Sequence, residues 1–151
     1  MKRLRKADRP YAVLIPLVVT GGAIWVNLGA FFWGSYPGWY HVLASAVYLL
    51  VWGGYRVLCS GKAARWMFCA FGIGTLLSGL LALPVAVWDW GIVAGVCMAP
   101  TLLLSLLFVT PMYGMIGLVR GHALRWTMVL VLGAAWTAAC VLPAAKRKLT
   151  V

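Results

Sequence analysis

Long runs without a charged side chain most strongly limit what this chain can fold into. They cover residues 10–55, 66–88, 90–119 and 126–145. A helix that crosses a bilayer needs about 20 residues, so the first run is long enough for two crossings and each of the others for one. With 64% hydrophobic and 10% charged residues over 151 positions, the chain is also far more apolar than a soluble domain.

We predict an all-α fold, a polytopic bundle of about five transmembrane helices. The spans are expected near residues 11–33, 40–58, 66–88, 91–119 and 126–144. The turn-forming sequence "SYPGWY" at 35–40 divides the first run. Helices are expected because hydrocarbon offers no partner for exposed backbone N–H and C=O groups, and the sequence lacks the ten-residue alternation of barrel strands. Residues 1–10 would form a basic arm and residues 145–151 a basic tail.

The Lys and Arg residues predict an N-terminus in the cytoplasm, because cytoplasmic loops of membrane proteins are enriched in these residues. Five spans would place ten of them there: Lys2, Arg3, Arg5, Lys6, Arg9, Arg56, Lys62, Arg65, Arg120 and Arg125. The other three, Lys146, Arg147 and Lys148, would lie outside, against the rule. Either the rule fails at this short tail or one span is miscounted. The suspect is segment 91–119, which as a straight helix would be about 45 Å long, against a hydrocarbon core of roughly 30 Å.

Three polar residues are predicted at similar depth near the outer face, namely Asn27, His41 and Asp89. Asp89 stands in "WDWG" between two tryptophans, where it would mark the limit of the hydrocarbon. If the bundle brings the three together, Asp89 would favour the charged form of His41 and form a small outward-facing polar site. The simpler alternative is that each residue is solvated separately at the interface.

Small residues recur every four positions along the third predicted helix and are expected to support close helix packing. They are Ala70, Gly74, Ser78, Ala82 and Ala86. Gly117 and Gly121 form a GxxxG pattern at the end of the fourth predicted helix. Such patterns allow helices to approach closely in lipid, where little hydrophobic drive acts between them. Packing within the chain is the simpler explanation, and a surface for an oligomer or another protein is the alternative.

The fourth predicted helix carries Pro100 and Pro111, which should kink it twice. Its hydroxyl side chains, Thr101, Ser105 and Thr110, share a face approximately and could line a neutral path. Broken helices line substrate sites in transporters. A kink that fits an overlong helix into the bilayer is the simpler account.

No ionisable side chain is predicted at mid-depth in the hydrocarbon, and the sequence has no catalytic or metal-binding motif. We therefore expect a non-enzymatic integral membrane protein without cofactor or metal, in a bacterial inner membrane. It would be a subunit or accessory protein of a larger membrane assembly. The alternative is a small oligomeric transporter or channel. Expected partners are membrane lipids, with anionic headgroups at the cytoplasmic face, and another membrane protein or a second copy, but not nucleic acid.

Overall fold

The computed structural model describes residues 10–58, 62–87 and 91–141, and side-chain surroundings over 14–55, 65–82 and 98–140. The helices are α1 Pro10–Trp33, α2 Trp39–Leu58, α3 Lys62–Val87, α4 Gly91–Phe108, α5 Tyr113–Ile116 and α6 His122–Val141. A single 3-10 turn, Thr110–Met112, lies between α4 and α5. The described ranges hold no β-strand, which confirms the predicted all-helical class.

Within the residues whose surroundings are described, three helices, α1, α3 and α6, are long and apolar enough to cross a membrane. A fourth crossing is counted if α4, the 3-10 turn and α5 are taken as one span with a bend of 53°. These helices are consistent with a membrane protein, but five crossings are not confirmed. Helix α2 packs against the rest of the bundle through a face that carries Tyr48 and Trp52, which are fully enclosed.

Helices α1 and α2 form an antiparallel hairpin joined by two buried side-chain contacts. The indole N–H of Trp52 donates to the hydroxyl of Thr20 at 3.0 Å. Near the other end of the pair, the amide nitrogen of Asn27 lies 3.2 Å from the hydroxyl of Ser45. Residue numbers therefore rise along one helix as they fall along the other. The connection between them starts at Gly34, whose φ of +58° favours glycine.

Helices α3 and α6 are also antiparallel, and their backbones approach closely through glycines. A Cβ atom on Gly72 would lie 3.0 Å from the backbone nitrogen of Thr137. A Cβ on Gly133 would lie 2.6 Å from that of Leu76. The guanidinium of Arg65 donates to the carbonyl of Cys140, near the end of α6. Helix α6 therefore begins beside the end of α3 and ends beside its start.

The segment from α4 to α5 starts and finishes at the same end of the bundle. Val87 and Gly91 are four residues apart, and so at most about 14 Å. Helix α4 thus leaves the end of α3, and Phe108 packs against Gly74, thirteen residues back along α3. Gly117 nevertheless lies against Pro37, in the connection between α1 and α2. We call this the Pro37 end of the bundle, and the end containing Leu58, Lys62 and Val141 the Val141 end.

The predicted fourth helix, 91–119, is therefore divided, and its division begins at the second of the two predicted kinks. Pro100 lies inside α4, as expected, whereas Pro111 lies in the 3-10 turn after α4 has ended. Proline lacks a backbone N–H and disfavours helical geometry in the residue before it. The N–H of Val109 and the hydroxyl of Thr110 both bond to the carbonyl of Ser105, which closes the helix.

Candidate functional site

Asn27 connects three separate segments of the chain inside the bundle. Its side chain is completely buried. The amide nitrogen lies 3.0 Å from the carbonyl of Ala23, 3.2 Å from the hydroxyl of Ser45 and 3.3 Å from the carbonyl of Pro111. A buried amide without partners is costly in an apolar surrounding, so these bonds fix the 3-10 turn against the α1–α2 hairpin.

Gly114 completes this polar cluster from the side of α5. Its N–H donates to the hydroxyl of Ser45 at 3.0 Å. A Cβ on Gly114 would overlap the carbonyl group of His41, so no larger residue fits without moving the backbone of α2. We call Asn27, Ser45, Pro111 and Gly114 the polar cluster.

His41 is buried next to this cluster but serves mainly to begin α2. Its Nδ1 accepts a hydrogen bond from the N–H of Gly38 at 3.0 Å, and its ring centroid lies 4.0 Å from that of Tyr40. Asn27 and His41 thus lie near the same α5 segment. The third predicted member, Asp89, falls outside the described residues, so the joint site stays a prediction.

Of the predicted path-lining residues, Thr101 and Ser105 lie on α4, and Thr110 begins the 3-10 turn that follows it. Ser105 and Thr110 are buried, and Thr110 is bonded to the carbonyl of Ser105. The hydroxyls of Thr101 and Ser105 are buried without a hydrogen-bond partner. Three other atoms in the described ranges share this property, namely the side-chain oxygen of Asn27, the hydroxyl of Tyr48 and the indole nitrogen of Trp136.

The predicted small-residue seam on α3 is mostly used for packing within the chain. Gly74, Ser78 and Ala82 are buried, and a Cβ on Gly74 would lie 2.5 Å from the ring of Phe108. Ala70 is exposed instead. The surroundings of Ala86, the last member, lie outside the described side chains.

The predicted GxxxG pair does not form a helix face. Gly117 follows the last residue of α5, and Gly121 precedes α6 with a φ of +97°. That backbone angle is not helical and suits glycine, so Gly121 shapes the turn that leads into α6. Gly117 instead supports the close contact of the α5 end with Pro37.

Helix α1 carries glycines with free space around them, which we call the open glycines. The predicted pattern of small residues was on the third helix and did not include them. Nothing lies within 4 Å of a Cβ built on Gly21, Gly22 or Gly29. Trp25, between them in sequence, is 81% exposed. The spacing of seven between Gly22 and Gly29 could have indicated this face from the sequence, because it brings two residues to nearly the same side of a helix.

A cavity of about 210 Å³ opens at the Pro37 end, between α1, the α4–α5 segment and α6. Its walls are apolar and include Phe31, Phe32, Leu102, Val109, Ile116 and Val129. Three residues from the start of α6, His122, Arg125 and Trp126, also line it. The five predicted spans would instead place Arg125 in the cytoplasm, at the end of the bundle opposite to residue 33, because they count 91–119 as a crossing.

Comparison with protein-family models, with curated proteins and with solved structures found no match to this chain.

Proposed function

We propose that the chain crosses the membrane four times, through α1, α2, α3 and α6, and that residues 91–117 form a re-entrant segment. The contact of Gly117 with Pro37 supports this path, because it returns the chain to the end at which α4 begins. Packing of α2 against α1 supports its crossing, since Trp52 and Ser45 face inward.

Four crossings would put both chain termini on one side, and the distribution of basic residues supports this arrangement. Eleven basic residues then belong to the Val141 end: Lys2, Arg3, Arg5, Lys6, Arg9, Arg56, Lys62, Arg65, Lys146, Arg147 and Lys148. Arg120 and Arg125 belong to the Pro37 end. By the positive-inside rule the Val141 end is cytoplasmic, and the conflict raised by the basic tail disappears.

Fusion of a folding reporter that fluoresces only in the cytosol tests this topology. A green fluorescent protein joined after Val151 should fluoresce, whereas five crossings would leave it dark. As a second measurement, Arg120→Cys in a cysteine-free background should react with a membrane-impermeant maleimide added to intact cells. A dark fusion together with an unlabelled Arg120→Cys variant would contradict the four-crossing arrangement.

We propose that the protein acts without catalysing a reaction, as a subunit or accessory protein that associates with other helices in the membrane. The open glycines of α1 carry this proposal. Glycine destabilises a helix by roughly 0.5–1 kcal/mol relative to alanine, and in membranes it is tolerated best where another helix packs closely against it. A Cβ built on Gly22 or Gly29 would meet nothing from another helix within 4 Å, so a helix from a partner would fill that space.

Large side chains on this face should prevent the association. We expect Gly22→Ile together with Gly29→Ile to reduce the size of the complex extracted from native membranes in mild detergent, as measured by light scattering after gel filtration. Thr127→Ile is the control, because Thr127 is an exposed position on α6 that is not one of these glycines. A wild-type protein that elutes as a monomer without a partner would contradict the proposal.

A small transporter or channel remains the second candidate, and one observation favours it. The unpartnered hydroxyls of Thr101 and Ser105 lie on the proposed re-entrant segment, and irregular backbone at membrane depth commonly lines a cavity or a solute path. Water and glycerol permeability of proteoliposomes, followed by stopped-flow light scattering, tests this function. Thr101→Val with Ser105→Ala should change the permeability, and Thr127→Val, at an exposed site on α6, should not. Permeability equal to that of protein-free vesicles would exclude conduction of these solutes.

A further inference from the structure

The cavity at the Pro37 end combines an apolar interior with a cationic edge. Its volume of about 210 Å³ exceeds the roughly 150 Å³ of an engineered apolar cavity that binds benzene. Apolar cavities of this kind do not hold water well, because water there lacks hydrogen-bond partners. Leu102 and Phe32 line the cavity and are also 44% and 59% exposed, so the cavity opens toward the surroundings of the helices.

Arg125 is fixed at the edge of this cavity by the backbone. Its Nε–H donates to the carbonyl of Val119 at 2.7 Å, which directs the guanidinium across the turn that precedes α6. The two acidic residues of the chain, Asp8 and Asp89, both lie outside the described residues. Within the described ranges, therefore, no carboxylate faces Arg125.

The other residues at this edge suit the boundary between lipid and water. Trp126 lines the cavity beside Arg125, and its ring lies 6.2 Å from that of His122. Tryptophan is enriched at headgroup level because its ring is apolar and its N–H is polar. The edge of the cavity thus lies where a headgroup would be, and its apolar walls lie where acyl chains would be.

We propose that this cavity is a binding site for one anionic phospholipid. An acyl chain would fill the apolar part between Leu102 and Val129, and the phosphate would bind the guanidinium of Arg125. Guanidinium groups bind phosphate through two parallel hydrogen bonds, which gives both charge and geometric fit. This site is distinct from the basic arm, because it lies at the Pro37 end, and it does not depend on the proposed association through α1.

Native mass spectrometry of the full chain tests the proposal. The protein is reconstituted in vesicles of equal phosphatidylglycerol and phosphatidylcholine, extracted in mild detergent, and its retained lipids are counted. We expect one retained lipid, with phosphatidylglycerol favoured about fivefold, in line with the contribution of one basic residue near an anionic surface. Arg125→Gln should abolish this preference. Arg120→Gln, which removes an equal charge from an exposed residue near the same end but outside the cavity, should leave it unchanged.

A second variant tests the apolar part of the site. Leu102→Trp should fill the cavity and reduce retention of both lipids, with the helical circular dichroism unchanged. Equal loss of preference in Arg125→Gln and Arg120→Gln would show only general attraction to anionic lipid and would overturn the proposal. Equal retention of the two lipids by the wild-type protein would do the same, whether or not Leu102→Trp folds.

Discussion

Helices α1 and α3 both carry glycines, and the two helices use them in opposite ways. On α3, a Cβ added to Gly72, Gly74 or Gly79 would lie within 3.0 Å of atoms from α4 or α6. On α1, a Cβ added to Gly21 or Gly22 would meet nothing within 4 Å. Glycine therefore marks close internal packing in one helix and an unfilled surface in the other, so a glycine pattern alone does not say which partner it serves.

The largest effect should come from Gly114, the most closely packed of the described glycines. Gly114→Ala would force its Cβ into the carbonyl of His41 and disturb the bond to Ser45. We expect a loss of about 3 kcal/mol in the free energy of unfolding, at the upper end of typical overpacking costs. Unfolding by a strong detergent, followed by circular dichroism, measures it. A loss below that of the next variant would show that α5 moves away freely.

Gly133→Ala should have the second largest effect, because it separates α3 from α6. Its Cβ would lie 2.6 Å from the backbone nitrogen of Leu76, which cannot rotate away as a side chain can. We expect about 2 kcal/mol of destabilisation, measured in the same titration. Ala134→Ser, a similarly small change at the neighbouring exposed position, is the control and should leave the midpoint unaltered.

Asn27→Leu tests the buried side of α1 against its open side. The variant removes the bonds to Ser45 and Pro111 while keeping a similar side-chain size. Hydrogen bonds between membrane helices contribute about 0.6 kcal/mol on average, so the loss should be about 1 kcal/mol for the pair. Amide hydrogen exchange should rise most in residues 110–116. If amide hydrogen exchange instead rose equally in residues 110–116 and in α6, Asn27 would not be holding the 3-10 turn in place.

Gly21→Ala should have the smallest effect and the opposite sign. The methyl group meets no neighbour, and alanine favours a helix over glycine by roughly 0.5–1 kcal/mol. The unfolding midpoint should stay constant or rise slightly. A clear fall would mean that the open face of α1 is already covered in the purified protein, and that the comparison between α1 and α3 fails.

The predicted spans agree closely with the first two helices, whereas α3 and α6 each begin four residues before the predicted spans 66–88 and 126–144, because a helix can continue past the charged residues that limit a span. Helices α1 and α2 begin and end within one residue of the predicted spans 11–33 and 40–58. Segment 91–119 differed, since an uncharged run has the same composition whether the chain crosses the membrane or turns back within it. Within the segment, Pro111 followed by Gly114 and Gly117 indicated a break in the helix. Far from the segment, the basic tail gave a second indication, because five crossings would place it outside the cell.

The polar cluster was only partly predictable. Asn27 was identified from its depth in the first helix, but its neighbours Ser45 and Gly114 depend on how α5 returns. No periodicity in the sequence encodes a contact between residues 27 and 111. Likewise, Arg125 was assigned to the wrong end relative to Phe31 and Phe32 because the crossing count decides which loops share a side.

The bond from Asn27 to Pro111 joins residues 84 positions apart, and this distance sets an order of assembly. At typical synthesis rates of 5–20 residues per second, the ribosome needs roughly 4–17 s to reach the second residue after making the first. During this interval α1 and α2 can already pair, since Ala23 and Ser45 are both present to receive the amide of Asn27. We therefore expect the hairpin to form first and residues 110–114 to fold against it when they emerge.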